Sequence, residues 1–507
     1  MYLRWVSMSA YLKKAESFLT ALLNKTIEFI ERYYKVFFVM FCAVITLLCF
    51  LNLGKWPVLD WDEARHGVSA YEMIKNKNFL VNTFNYKVDY WNLKPVLSFS
   101  AIIFCFKLFG YSIFSLRLYS ALSMVATAIC VGVFTYKRFG KLASLCTLAF
   151  MCSCTPLYLT HCARNGDADA MFLLFFSLSV MLVTTKRYFW CSGLFFALAF
   201  LTKSWHAGCA FIIILAYIIY LIIKKQLPCK KQLIGFVVSM ITPVLVWAIA
   251  RYFADGWVFF KGMFLYDLLK RSTEGVENHA YGFFLYFEYL FSNMTFLLIG
   301  FIGLLITYIL IFKRQFLNIL KQRNILFLIT WTAVPFAIFC ASTTKLHWYI
   351  FPAIFPILIG GGVMLAKLVK SKKVKVYLKL LFIVWFAFFV CRYSARLVNR
   401  FAHPPVDSLQ SFISVNAPKI EGKSTYFEEI DSNGEQVTAW SQSAIFVAEI
   451  NGNLLCKDGG VEQFFAKNQS ETAVIMDLET FNLYDFSNNE KYTVCAADDE
   501  FIIVLLN

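Results

Sequence analysis

Long apolar runs separated by short charged clusters fill the first four fifths of the chain. A membrane span needs about 20 apolar residues, and runs near 36–53, 115–135, 142–160, 170–185, 188–201, 206–223, 233–250, 292–312, 324–341, 347–366 and 376–393 predict about eleven spans. The run from Pro95 to Gly110 is also apolar, but it is short and contains Lys107. Basic residues decide its status, because Lys and Arg accumulate in cytoplasmic loops. If 95–110 does not fully cross, the clusters Lys137/Arg138/Lys141, Lys186/Arg187, Lys224/Lys225/Lys230/Lys231, Lys313/Arg314/Lys321/Arg323 and Lys367 to Lys379 all fall on the side of the N-terminus. One more crossing would put them all outside, so the segment is expected to be a re-entrant or interfacial helix.

This parity puts residues 54–114, 161–169, 202–205, 251–290, 342–346 and everything after about 394 on the opposite, outer side. From about Arg396 the pattern turns soluble: His403-Pro404-Pro405 breaks the chain, and β-like runs appear at Thr425–Ile430, Ala473–Asp477, Tyr492–Ala496 and Phe501–Leu506. Helical spacing appears at Ser408–Val415 and Ala439–Ile450. The expected fold is a polytopic α-helical membrane domain over 1–394 and a small α/β domain over 395–507 on the outer side.

Composition agrees: 59% of the 507 residues are hydrophobic and 16% charged, with a mean hydropathy of +0.61, far from a soluble domain. The net charge of +16 does not argue for a nucleic-acid partner, because the basic residues sit between apolar runs. Fifteen Cys are scattered, several within apolar runs, without metal-site spacing; they read as small buried hydrophobes. Cys456 and Cys495 are either a pair or two free thiols, depending on the compartment. Residues 1–35 lack a small-residue cleavage site and read as a retained cytoplasmic helix.

Against this background, charges on the outer side stand out: Arg65, Lys94, Arg164, Lys203, Lys270, Arg271 and Lys345 beside the acidic clusters Asp60-Trp61-Asp62-Glu63 and Asp167-Ala168-Asp169. Asp60 and Glu63 have capping-box spacing ahead of an amphipathic stripe through Ala64, Val68, Tyr71 and Ile74. Asp62 then falls in the first turn, where the helix dipole favours its ionised form, as a general base or metal ligand requires. Asp167 and Asp169 precede Ala170–Leu182, where a single acid would suffice for capping. Hard oxygen ligands on Asp62 and Asp169 suit Mg²⁺ or Mn²⁺.

Several motifs occur in one order: Trp61-Asp62-Glu63-Ala64-Arg65, Tyr90-Trp91-Asn92-Leu93-Lys94-Pro95, Phe109-Gly110, Arg117-Leu118, Lys137-Arg138-Phe139-Gly140, Ala163-Arg164 to Asp169, Phe200-Leu201-Thr202-Lys203 and, later, Lys345-Leu346-His347-Trp348-Tyr349-Ile350-Phe351-Pro352. This order resembles the GT-C superfamily of polyprenyl-phosphate-sugar-dependent glycosyltransferases, nearest its protein O-mannosyltransferase and aminoarabinose (lipid A) transferase branch. Two positions depart from that branch: Leu93 stands where an acid is usual, and His347 where a Pro follows Lys-Leu.

The resemblance implies a catalytic acid at Asp62, assisted by Asp169 and flanked by Glu63. It further implies a donor phosphate met by Lys94, Arg271, Lys345 and Arg65, and substrate contacts from Asp167, His279, Trp348 and Tyr349, with Arg271 and His279 in the loop Leu268–His279. The implied partners are a polyprenyl-phosphate-linked sugar and a lipid A, glycan or protein acceptor, at the outer face of a bacterial inner membrane. The expected reaction is a single inverting displacement, with the departing phosphate stabilised electrostatically. The rival expectation is a lipid or sugar transporter, but there polar groups cluster near the bilayer midplane.

Overall fold

The structure, a computed structural model, describes residues 2–159, 161–277, 279–430, 435–437, 441–466, 471–484, 486 and 491–506. Helices α1 (Tyr2–Arg32) and α2 (Tyr34–Phe50) meet at a bend of 75°. After α3 (Asp62–Lys75), a hairpin of β1 (Thr83–Phe84) and β2 (Lys87–Val88) leads to α4 (Leu97–Phe109). The apolar segment continues as α5 (Ile113–Phe139), α6 (Lys141–Cys152), the single turn α7 (Pro156–Leu159), α8 (Asp169–Leu182), α9 (Phe189–Lys203), α10 (Gly208–Ile223) and α11 (Lys230–Asp255). Two short helices, α12 (Val258–Phe264) and α13 (Arg271–Thr273), precede α14 (Leu285–Phe312), α15 (Arg314–Leu320), α16 (Arg323–Ala341), α17 (Phe351–Lys370) and α18 (Val376–Ala402).

Among the described residues, seven helical stretches are long and apolar enough to cross a membrane, or eight if α1 and α2 count as one bent span. The chain is a multi-pass membrane protein. All eleven apolar runs seen in the sequence are helical, but they are not equally long. Those near 142–160 and 170–185 contain α6 and α8, of 12 and 14 residues; at 1.5 Å per residue neither alone crosses ~30 Å of hydrocarbon. Position 160 lies outside the described residues. The runs at 188–201 and 206–223 form one stretch of 38 residues, Lys186–Ile223. A 3-10 turn at Ser204–Ala207 divides it into α9 and α10 and is entered at Ser204 with φ 43°. At 13 residues α4 is too short to cross, in keeping with an interfacial helix. The composition change at Arg396 comes before its helix ends, since α18 continues to Ala402.

The C-terminal region contains α19 (Ser408–Asn416), β3 (Ser424–Ile430), β4 (Gln436–Val437), α20 (Gln442–Gly452), β5 (Leu455–Cys456), α21 (Gly460–Phe465), β6 (Thr472–Asp477), α22 (Leu478–Leu483), β7 (Tyr492–Ala497) and β8 (Phe501–Leu506). The sheet order is β4-β3-β6-β8-β7, with β5 also on β3; β3 pairs parallel with β6 and with β5, and the remaining ladders are antiparallel. The four runs that alternate in the sequence are β3, β6, β7 and β8. The helix expected over 439–450 is α20, whose first expected positions, 439 and 440, lie outside the described residues. Cys456 and Cys495 are free, because β5 and β7 sit at opposite sides of the sheet.

This region docks on α3. Phe446 of α20 packs where Gly67 of α3 has no side chain; a Cβ there would come within 2.7 Å of the ring. Val68, Phe99, Phe106, Phe412, Ile413 and Phe446 share one core that joins the two regions. Two acids are shut inside the same interface: Glu72 of α3 and Glu449 of α20 are 0% and 1% exposed, and both oxygens of Glu449 lack a hydrogen-bond partner. Burial pushes Glu72 up to about 7, against a backbone N–H donated by Tyr86. Burial, reinforced by Glu72, raises Glu449 further.

Both carboxyls therefore hold protons in the fold that the unfolded chain has released above its ordinary value of 4.5. Their contribution to stability is complete below that value; that of Glu72 is lost as pH rises through about 7, and that of Glu449, raised further, is lost at higher pH still. The thermal midpoint in detergent is expected to fall between pH 5 and pH 8, and Glu449→Gln should flatten the decline and raise the midpoint at pH 8.

Candidate active site

Two arginines shape the backbone around the site before any reactive group is placed. The guanidinium of Arg164 donates to the carbonyls of Leu48, Cys49 and Leu51, which the end of α2 leaves unpaired, and stacks over Phe401 at 3.9 Å. Arg117 of α5 does the same for Leu53, Trp56 and Pro57. It also forms a buried pair with Glu63, its Nε 2.6 Å from Oε1. Glu63 in turn accepts from the N–H groups of Leu59 and Gly166. Gly166 is required there, because a Cβ would lie 2.5 Å from Leu116. One carboxylate thus ties the start of α3 to the 164–169 loop.

The expected capping box does not form. Trp61 is the N-cap of α3, without a side-chain cap bond; Asp60 turns to the C-terminal region and Glu63 turns into the core. Asp62, first residue of α3, is left projecting into a cavity of about 580 Å³. Lys94, His161, Lys203, His206, Asp267, Arg271, His279, Trp348 and Tyr349 also border this cavity, as do Trp61 and Trp91. The Lys94 ammonium donates to Asp62 Oδ1 at 2.8 Å. Burial alone would raise Asp62, but Lys94, His161 and His66 hold it well below the usual carboxylate range. Lys94 responds in kind: burial lowers it, and Asp62 and Asp167 more than restore its proton.

Behind Asp62 stand two further acids. Asp167 is fully buried and bonded to His161 Nδ1 at 2.7 Å, with His161 itself 3.8 Å from Asp62. Burial and Asp62 push Asp167 up, yet His161 and Lys203 bring it below its ordinary value. Burial lowers His161, but its bond to Asp167 more than compensates and raises it. Its imidazole stacks on Trp348 with ring centres 3.5 Å apart. Asp169 is bonded to Lys203, which reaches the cavity from the last residue of α9. On the far wall Arg271 is 3.3 Å from Asp267 and 3.1 Å from Glu277.

The structure therefore gathers Asp62, Lys94, Arg271, His279, Trp348 and Tyr349 around one cavity and sets Asp167 and Asp169 directly behind it. Three expected positions are corrected. Glu63 is a core tie to Arg117 and does not face the cavity, because consecutive residues on a helix point about 100° apart. Arg65 pairs with Asp89 at 2.8 Å, between the rings of Phe84 and Trp91. Lys345 donates to the carbonyls of Tyr281 and Ser342 and so holds the Arg271 loop rather than a phosphate. The metal pairing of Asp62 with Asp169 is also revised. The acids and imidazole whose ligand atoms converge within 4.8 Å are Asp62, His66 and Asp167, whereas Asp169 is engaged by Lys203. His161 and His206 had no motif to announce them; Lys203 did, as an outer-side cation ending a span.

Each partner of the Glu63–Arg117 pair should be strongly destabilising to remove alone. Arg117→Leu or Glu63→Leu is expected to cost about 3–5 kcal/mol, with the double variant well below the sum, by denaturation in detergent.

A sequence profile for dolichyl-phosphate-mannose-protein mannosyltransferases matches residues 94–247. The undecaprenyl phosphate-alpha-4-amino-4-deoxy-L-arabinose arabinosyl transferase of Shewanella sediminis is 26% identical over 65% of this chain. That alignment spans 60% of the relative's own length. An uncharacterized protein of Aquifex aeolicus is 27% identical over 63% of this chain and 72% of its own. Among solved structures, ArnT from Cupriavidus metallidurans bound to undecaprenyl phosphate superimposes with a TM-score of 0.68 at 15% identity, over 92% of this chain and 97% of ArnT. The archaeal oligosaccharyltransferase AglB from Archaeoglobus fulgidus gives 0.51 at 11% identity, over 89% and 70%. The chain therefore shares the fold of ArnT over nearly its whole length, and its sequence is similar to that of these glycosyltransferases.

Proposed function

We propose that this protein is a glycosyltransferase of a bacterial inner membrane. It would move a sugar from a polyprenyl phosphate to an acceptor hydroxyl or phosphate of lipid A, a glycan or a protein, on the extracytoplasmic face. Residues 1–394 carry the chemistry, and 395–507 lie on the same side. The observation that supports this most is the convergence of Asp62 with Lys94, Lys203 and Arg271 around one partly dry cavity. Three cations suit a phosphate leaving group, and a low-lying carboxylate suits a hydroxyl that must be oriented. The apolar cleft of about 700 Å³ between α14, α15, α16 and α17, which starts near Phe287 and Leu290, suits an isoprenoid tail.

In the proposed step the acceptor oxygen, hydrogen-bonded to Asp62, attacks the anomeric carbon from the face opposite the phosphate. The new C–O bond forms as the bond to the phosphate oxygen breaks, which inverts the centre. The polyprenyl phosphate departs toward Arg271, Lys203 and Lys94, and the acceptor proton passes to Asp62 as the attacking oxygen loses electron density. Trp348 and Tyr349 supply flat apolar surface for the sugar. Asp62→Asn keeps the shape and loses the charge; it is expected to lower transfer at least 100-fold with unchanged detergent-solubilised yield, measured with a radiolabelled polyprenyl-phosphate sugar. A fully active, normally folded Asp62→Asn protein would overturn the reading.

A divalent cation also fits the donor set. His66 donates Nδ1–H to the Asp62 carbonyl at 2.5 Å, and its Nε2 is buried without a partner. Burial lowers His66 to about 4, so the ring is neutral and able to ligate. With Asp62 and Asp167 it would hold Mn²⁺ more readily than Mg²⁺, given the imidazole, and a bound ion would neutralise the acids and polarise the acceptor. EDTA is expected to lower the rate severalfold and Mn²⁺ to restore it, with His66→Gln insensitive to both.

A further inference from the structure

Asp60 is two residues from Asp62 and yet belongs to a different contact. Its Oδ1 accepts the backbone N–H of Ser443 at 2.7 Å and the Ser441 hydroxyl at 3.4 Å. Ser441 and Ser443 form the N-cap and first turn of α20, where unpaired N–H groups and the helix dipole favour a carboxylate. The C-terminal region therefore grips the chain immediately before the catalytic helix through the one end of α20 that welcomes an anion. A second grip lies two residues upstream: Gln410 of α19 donates from Nε2 to the Val58 carbonyl and accepts the Val58 N–H, both at 2.9 Å.

Between these grips and Asp62 stands Trp61, whose φ of 63° and ψ of −117° put a bulky residue where glycine is usual. Such a conformation is strained and persists only when its surroundings enforce it. From the membrane side Arg117 holds the carbonyls of Trp56 and Pro57, and from the other side α19 and α20 hold Val58 and Asp60. The strained elbow is closed from both ends, and its product is the direction in which Asp62 leaves α3 toward Lys94.

We infer that Asp60 is a positioning residue, through which the C-terminal region sets the Asp62 carboxylate by anchoring the strained Trp61 elbow to the first turn of α20. The inference rests on the proposed role of Asp62. It gives residues 395–507 a share in the active site although none of the described residues among them lines the cavity. Asp60 reaches the cavity wall as well, so a direct role in substrate binding is the competing account.

The test measures kcat and donor KM for four variants beside wild type and Asp62→Asn. Asp60→Ala is expected to lower kcat about 10- to 100-fold with donor KM within about twofold, the signature of a displaced group rather than a lost contact. Asp60→Asn, which keeps an acceptor oxygen, should recover most of that loss. Ser443→Pro removes the donated N–H from the other partner, within the first turn of α20, where N–H groups have no intrahelical acceptor to lose; it should reproduce the kcat loss, and combined with Asp60→Ala it should add little. Wild-type kcat in Asp60→Ala or Ser443→Pro, an Asp60→Asn as impaired as Asp60→Ala, or a loss confined to KM would overturn the inference. Full activity in Asp62→Asn would instead overturn the reading beneath it.

Discussion

Three buried carboxylates crowd together at and just behind one polar cavity, and burial alone would drive all three toward protonation. Lys94 and His161 hold Asp62 and Asp167 below the ordinary carboxylate range, whereas burial pushes Asp169 up to about 7 despite its bond to Lys203. Much else in the fold positions these pairs. Lys203 stands at the end of α9, at the break before α10, Asp62 is the first residue of α3, and Arg117 and Arg164 hold the backbone carbonyls between the end of α2 and Pro57. A pocket wired in this way is already polarised before substrate arrives, which is the condition for stabilising charge as it develops rather than after solvent has rearranged.

The same logic separates two kinds of arginine and lysine in this chain. Arg117, Arg164 and Lys345 are spent on backbone carbonyls, and Arg65 on Asp89 between two aromatic rings. Arg271, by contrast, pairs with the side-chain carboxylates of Asp267 and Glu277 at the cavity rim and lies over the Tyr266 ring, and among the described residues its guanidinium holds no backbone carbonyl. Burial alone does not make a cation functional; what its nitrogen atoms already hold decides the matter.

Much of this was legible in the sequence. Apolar runs located every long helix after α1, and the β-like alternation located four of the six strands of the C-terminal sheet; β4 and β5, two residues each, are too short to show a period. Of the residues that border the cavity, Asp62, Lys94, Trp348 and Tyr349 lie in the ordered motifs, and Arg271 and His279 in the loop to which the resemblance pointed. Glu63 and Arg65 were misread because a linear motif does not say which way each side chain leaves its helix, and Lys345 because a cation at a span end looks the same whether it faces a ligand or a carbonyl. The approach of His161 to Asp62 and the contact of Asp60 with α20, 383 positions away, are products of tertiary proximity, which no local pattern encodes.

The loop bearing Arg271 and His279 has a further consequence for how a lipid could reach the cavity. Its backbone is stitched to the segment before α17: Thr343 and Thr344 donate to Ser272 and Arg271, Lys345 donates to His279, and Ala280 bridges Thr344. Stitched in this way, the loop keeps Arg271 and His279 at the rim of the cavity through the backbone rather than through their own side chains. If the donor is the polyprenyl-linked sugar proposed above, its head would meet that rim while its tail stays in the bilayer. Turnover would then depend on the surface density of that lipid and on leaflet fluidity, quantities that no stirred aqueous concentration describes.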